Sequence, residues 1–189
     1  VSIHHNVAPI SRNDSEVKKP YYLQEFLDLL ETTIEKEPKK ENRPLVIWCH
    51  AGISRRIVVD DYAKILDGVL ARYGDNLFLD LSWVVLGSYV YKDLDAWLAL
   101  IKKYPDNFVI GSDAVGKSSA IPFELKKFNA LLQALPKNVR EKVAFLNLKS
   151  ILDRAAESRT AKGFGSKGII LPDAFALDDG FGLEGLRDK

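Results

Sequence analysis

Four short apolar runs, each closed by polar residues and separated by longer segments of helical period, constrain this chain more than any other feature. Leu45-Val46-Ile47-Trp48-Cys49 contains no charged residue and stops at His50, the pattern of a strand covered on both faces in a parallel sheet. The spacing predicts further strands at about residues 1–5, 77–82 and 108–112. Between them, Leu23, Phe26, Leu27, Leu30 and Ile34 recur at helical intervals, so Tyr21 to Lys36 is predicted helical with Pro20 suited to its first turn. Val58, Tyr62, Ile65, Leu66 and Val69 predict a second helix over Ile57–Tyr73, stopped by Gly74-Asp75-Asn76. Leu94, Trp97, Leu98 and Ile101 predict a third over Tyr91–Lys103, and two more are expected at Pro122–Leu135 and Lys137–Ala155. Strands alternating with helices, without a hairpin signal, argue for an α/β fold with a parallel sheet and right-handed crossovers. Beyond Ala156 the sequence turns to Gly, Lys, Ser and Asp. We therefore expect two regions, four βα units over 1–155 and an irregular C-terminal extension over 156–189, in which Gly168–Leu171 could be a short strand.

Charge and hydropathy narrow the functional classes. The 27 basic and 26 acidic side chains nearly cancel and are interspersed, so no basic stripe suits a phosphate backbone and nucleic acid is not the expected partner. No apolar run approaches the roughly 18 residues of a membrane span, and the first residues lack the basic and apolar regions of a signal peptide. The expectation is a cytoplasmic protein acting on a small molecule. Cys49 is the only cysteine and reads as a small core residue. The chain has no methionine and opens inside a strand-like segment, so Val1 is expected to be an internal residue of a longer protein.

Four βα units are about half of a (β/α)8 TIM-type barrel. In such barrels the active site lies at the C-terminal ends of the strands, so the residues that close each apolar run are the ones to examine. They are His4 or His5, His50, Asp80 and Ser82, and Asp113. All three histidines of the chain stand at such ends. Imidazole nitrogen and carboxylate oxygen suit Zn²⁺, Mn²⁺ or Fe²⁺, and rigid strand ends can fix their geometry. A metal held there lowers the pKa of bound water, and a neighbouring carboxylate can take the proton. Asp113 would then be ligand, base or both. The plainer alternatives are that a lone histidine is a satisfied polar residue and that Asp113 is a helix N-cap. Arg55 and Arg56, in the loop after His50, could bind an anionic group of a substrate. Ser82 and Trp83 could line the pocket, with a core position as the alternative for Trp83.

The stretches Trp48-Cys49-His50-Ala51-Gly52-Ile53-Ser54-Arg55, Asn76 to Trp83 and Tyr104-Pro105-Asp106-Asn107-Phe108-Val109-Ile110-Gly111-Ser112-Asp113 together resemble the later part of the amidohydrolase superfamily. More narrowly they resemble its amidohydrolase 2 branch, which includes hydrolases and metal-dependent decarboxylases. Asn147 resembles the asparagine of that branch's final helix, and the likeness extends over about residues 1 to 152. It implies the second half of a (β/α)8 barrel, with His4 (His5 being the alternative), His50 and Asp113 as metal ligands and His50 and Asp113 in catalysis. The implied cofactor is a divalent metal, Zn²⁺ with Mn²⁺ or Fe²⁺ as alternatives. The implied reaction is attack of metal-activated water on an amide, ester or lactone, or decarboxylation. The branch's first-strand His-x-His pair is absent, and His4-His5 cannot replace it because adjacent strand residues face opposite ways. Half a barrel also leaves two sheet edges unpaired, so the expected partner is the N-terminal half of the same protein or a second copy.

Two other readings remain. Gly111-Ser112-Asp113-Ala114-Val115-Gly116-Lys117-Ser118 satisfies G-x-x-x-x-G-K-[ST] at every position and follows a strand, which would make it a phosphate-cradling loop. Against this, Pro122 would fall inside the helix that such a loop opens, at a cost of about 3 kcal/mol. The second is a non-catalytic scaffold built on the same half barrel.

Overall fold

The structure, a computed structural model, describes residues 1–8, 19–54, 57–113 and 120–161. Four parallel strands form one sheet in chain order: β1 (Ser2–Ile3), β2 (Val46–Trp48), β3 (Leu77–Asp80) and β4 (Phe108–Val109). Between them lie α1 (Leu23–Lys36), α2 (Tyr62–Tyr73) and α3 (Leu94–Lys103). After β4 come α4 (Ile121–Lys126), α5 (Asn129–Ala134), α6 (Lys137–Glu141) and α7 (Asn147–Ala161). Two compact units divide the chain at Ile151/Leu152, and the first contains every described strand.

Strand register sorts the side chains onto two faces. Ile3, Trp48, Leu79 and Phe108 form one row across the sheet, while Ile47 pairs with Phe78 and Asp80 with Val109 on the other parity. The first face, with Val46 and Leu77, packs on Phe26 and Leu30 of α1, Leu66, Val69 and Leu70 of α2, and Trp97, Leu100 and Ile101 of α3. Side chains of this size contribute roughly 1.5–3 kcal/mol each when fully buried. The other face carries a smaller cluster, in which Phe78 and Val109 meet Ile151 of α7, flanked by Leu45 and Ile47. All three crossover helices thus share one face. A doubly wound sheet would reverse its strand order and place helices on both.

Polar side chains settle the backbone at the sheet margins. Asn147 is 5% exposed, and its Nδ2 donates to the carbonyls of Pro105 (2.9 Å) and Phe108 (2.8 Å), satisfying the outer edge of β4. Asn107 Nδ2 donates to the Leu77 carbonyl at 2.8 Å and to that of Gly74 at 2.5 Å.

Several boundaries differ from the sequence reading. The predicted helix over 57–73 starts only at Tyr62, because Ile57-Val58-Val59 is β-branched and resists helical packing. There the Val59 N–H donates to Tyr89 Oη, and that hydroxyl donates to the Ile57 carbonyl, both at 2.8 Å. The third strand ends at Asp80 rather than running on to residue 82. The segment after it, for which the sequence reading assigned no element, winds into a π-turn at Leu86–Val90. The helix expected over 122–135 is broken into α4 and α5 by tight bonds from Lys127 N to Glu124 O and from Phe128 N to Leu125 O. Pro122 sits in the first turn of α4, where a missing N–H is harmless. The helix expected to stop at Ala155 passes through a π-turn at Lys142–Leu146 and, as α7, continues to Ala161, so residues 156–161 are helical rather than irregular. Gly168–Leu171 lies outside the described residues.

Candidate functional site

Because the four strands are parallel and adjacent, their C-terminal ends line up and bring His4, His50, Asp80 and Asp113 to one margin of the sheet. His50 and Asp113 belong to strands separated by β3, roughly 10 Å at ordinary strand spacing. Their side chains nevertheless reach across, with His50 Nε2 3.5 Å from Asp113 Oδ1. The ring of His4 stands edge-on to that of His50 at 5.1 Å between centroids, and Trp83 also stands edge-on to it at 5.2 Å. His5 turns the opposite way, stacking on Phe26 at 5.9 Å with its Nε2 3.5 Å from Glu25 Oε2 on α1. The alternation of a strand therefore separates the two adjacent histidines, and His4 faces the cluster.

The backbone is bent to make this possible. Left-handed conformations occur at His50 (φ 51°), Ala51 (φ 44°), Trp83 (φ 58°) and Asp113 (φ 42°), which L side chains adopt at about 1–2 kcal/mol each. Among the described residues only Asp61, before α2, is a non-glycine of this kind elsewhere. Backbone strain of this kind persists only where the surrounding structure holds it, and in proteins generally it clusters at active sites, ligand clamps and switch regions. The His50 turn is held from several sides. Asp80 Oδ2 accepts from the His50 N–H at 3.1 Å, Tyr62 Oη donates to the Ala51 carbonyl at 2.5 Å, and the Val7 N–H donates to the Gly52 carbonyl at 2.8 Å. Gly52 (φ +75°) closes the turn directly against the indole of Trp48, which is itself buried and stacked on Phe26 at 4.0 Å. Trp48 Nε1 donates to the His5 carbonyl at 2.8 Å, tying the end of β1 to the same turn.

The remaining expected residues fall as follows. Ser82 is 2% exposed, and its hydroxyl donates to Asp80 Oδ2 at 2.5 Å, so it faces the protein and holds the turn into Trp83. Arg55 and Arg56 lie outside the described residues, as do Ala114 to Ser118 of the phosphate-loop motif. Burial pushes the Cys49 thiol up, and the nearby Asp80 and Asp113 carboxylates raise it further, which keeps it protonated.

The donor set bears on a metal. Two ligands of a tetrahedral ion at about 2.0–2.1 Å stand roughly 3.4 Å from one another, and the His50–Asp113 separation of 3.5 Å suits such a pair. Among the described residues no three His, Cys, Asp or Glu side chains are gathered as a complete group, and the imidazole beside that of His50 is that of His4. No helix among the described residues is long and apolar enough to cross a membrane. Compared with protein-family models, curated proteins and solved structures, the chain finds no match. Asp80 is the residue whose part the sequence left unassigned. The available signal was Asp80-Leu81-Ser82 directly after an apolar run, where an acid can capture the backbone two residues on.

Proposed function

We propose that this chain carries the active margin of a metal-dependent hydrolase, built on half of a (β/α)8 barrel of the amidohydrolase 2 type. The observation that supports it most is the meeting of His50 and Asp113 from strands two apart, on strained backbone, beside His4. The singly wound sheet with all crossover helices on one face suits that architecture. His50 and Asp113, with His4 as the third donor, would hold the ion. When bound, the ion supplies a water acidified to near neutrality and a charge to polarise a carbonyl or carboxylate. Asp113, whose Oδ1 lies 3.5 Å from His50 Nε2, would be the carboxylate that takes a proton from such a water. The Trp83 ring, 5.2 Å from that of His50, would offer an apolar surface to a small substrate. Hydrolysis of an amide, ester or lactone and decarboxylation both fit this arrangement. The face bearing Ile47, Phe78 and Val109 is the one a barrel would turn inward, which makes an N-terminal half, or a second copy, the natural partner.

Metal analysis of the full chain and three variants tests this reading. His50→Ala and Asp113→Asn are each expected to reduce bound transition metal at least tenfold, while Lys117→Ala leaves it unchanged. If Lys117→Ala abolished function, with magnesium-dependent nucleotide binding in the unmodified chain, the phosphate-loop reading would replace this one.

A further inference from the structure

We propose that Asp80 is the positioning residue of this site, one carboxylate that aims both the His50 ring and the Trp83 ring. It rests on the functional reading above for its purpose, but not for its geometry. Oδ2 accepts from the His50 N–H at 3.1 Å and from Ser82 Oγ at 2.5 Å, while Oδ1 accepts from the Ser82 N–H at 3.0 Å. The first bond fixes the start of the left-handed turn at His50, and the other two fix the residue immediately before the left-handed Trp83. The third neighbouring strand end is also in contact. A Cβ on Gly111 would stand 3.1 Å from Asp80 Oδ1, tighter than an ordinary contact, so the lack of a side chain at residue 111 lets the segment after β4 lie close to this carboxylate without displacing it. Asp80 thus joins the ends of β2, β3 and β4, and the two rings it governs meet at 5.2 Å. All three donors point at carboxylate oxygens, and an amide at this position can accept at only one of its two terminal atoms. Asp80→Asn therefore keeps the volume and breaks the junction.

Nuclear magnetic resonance on the full 189-residue chain reads the junction directly. In the unmodified protein the His50 amide should exchange with solvent on the order of 100-fold more slowly than an unprotected amide. His50 should also show ring-to-ring contacts with Trp83 and His4. In Asp80→Asn that protection should fall at least tenfold and both ring contacts should weaken, while the melting temperature and the signals of Trp48 and Trp97 in the core stay close to those of the parent. Co²⁺ added alone should give the parent a visible ligand-field absorption that the variant loses. If the variant keeps its His50 protection and ring contacts, Asp80 positions nothing and the proposal is overturned. An unprotected His50 amide in the parent overturns it too, and decides the matter even if the variant does not fold. A parent that shows the protection and ring contacts, and loses them in the variant, but gives no Co²⁺ absorption supports the positioning role and removes the metal reading instead.

Discussion

Replacing Gly52 with alanine puts a methyl carbon where the fold already has an indole. The added Cβ would lie 2.2 Å from Trp48 Cζ2, 2.6 Å from Cε2 and 2.9 Å from a Val7 methyl. Trp48 has no room to yield. It is fully buried, stacks on Phe26 at 4.0 Å and is anchored through Nε1 to the His5 carbonyl. Forcing an extra carbon into such packing costs about 1–3 kcal/mol, and a left-handed backbone at a residue with Cβ adds about 1–2 kcal/mol. The sum is roughly 2–5 kcal/mol, which for a chain of this size lowers the melting temperature by about 4–20 °C. Gly68, in the interior of α2, provides the control, since a Cβ there meets nothing within 4 Å and the backbone is not left-handed. Gly68→Ala should stabilise by about 0.5–1 kcal/mol. Urea unfolding followed by tryptophan fluorescence measures both. A loss below about 1 kcal/mol in Gly52→Ala would refute the reasoning, because it would mean that the turn relaxes and that Trp48 does not fix it.

Three further outcomes follow from other parts of the fold. Asn147→Ala removes two donors from the outer edge of β4 and should cost about 1–3 kcal/mol in unfolding free energy, with hydrogen exchange quickening first around Phe108. The Tyr73 phenol is pushed up to about 12 by burial and then by its bond to Glu31. Raised above the ordinary value near 10, it contributes stability that is full below pH 10 and lost as pH climbs through 12, so urea midpoints should fall more steeply over that range in the parent than in Tyr73→Phe. Light scattering after size exclusion should report a species heavier than the 21.2 kDa chain if the proposed half barrel recruits its complement, and a stable monomer would count against that proposal.

The parts of this structure legible in the sequence are those governed by period and composition. Leu45 to Cys49 could hardly be anything but a covered strand, and the spacing of Leu94, Trp97, Leu98 and Ile101 leaves α3 little freedom. The positions of His50 and Asp113 at strand ends on the same margin, with β3 between them, follow from those runs and from a parallel sheet. What escaped the sequence was set by contacts distant in the chain. Nothing near Ile57 shows that Tyr89, 32 residues on, will take its carbonyl and end the case for a helix there. The left-handed turn at His50 depends on a carboxylate 30 residues away, and the short reach of β3 depends on the same group. Which of His4 and His5 faces the cluster needed only strand alternation, but choosing between the two faces required knowing where α1 packs.

Among the described residues each strand after β1 lies beside the one made just before it, and the registers Ser2 with Ile47, Val46 with Leu77 and Leu79 with Phe108 span 45, 31 and 29 residues. By the logarithmic dependence of closure entropy on length, the longest of these loops costs only about 0.4 kcal/mol more to close than the shortest. Assembly on the ribosome can therefore proceed as a ratchet of near-equal steps. Each newly emerged strand finds its template already laid, and none must wait for a segment not yet synthesised. The cluster at the strand ends obeys a different clock, because Asp113 arrives with the last strand, after the His50 turn and the Asp80 carboxylate beneath it have been made. The margin where His50 meets Asp113 is consequently completed only with β4, the last of the four described strands.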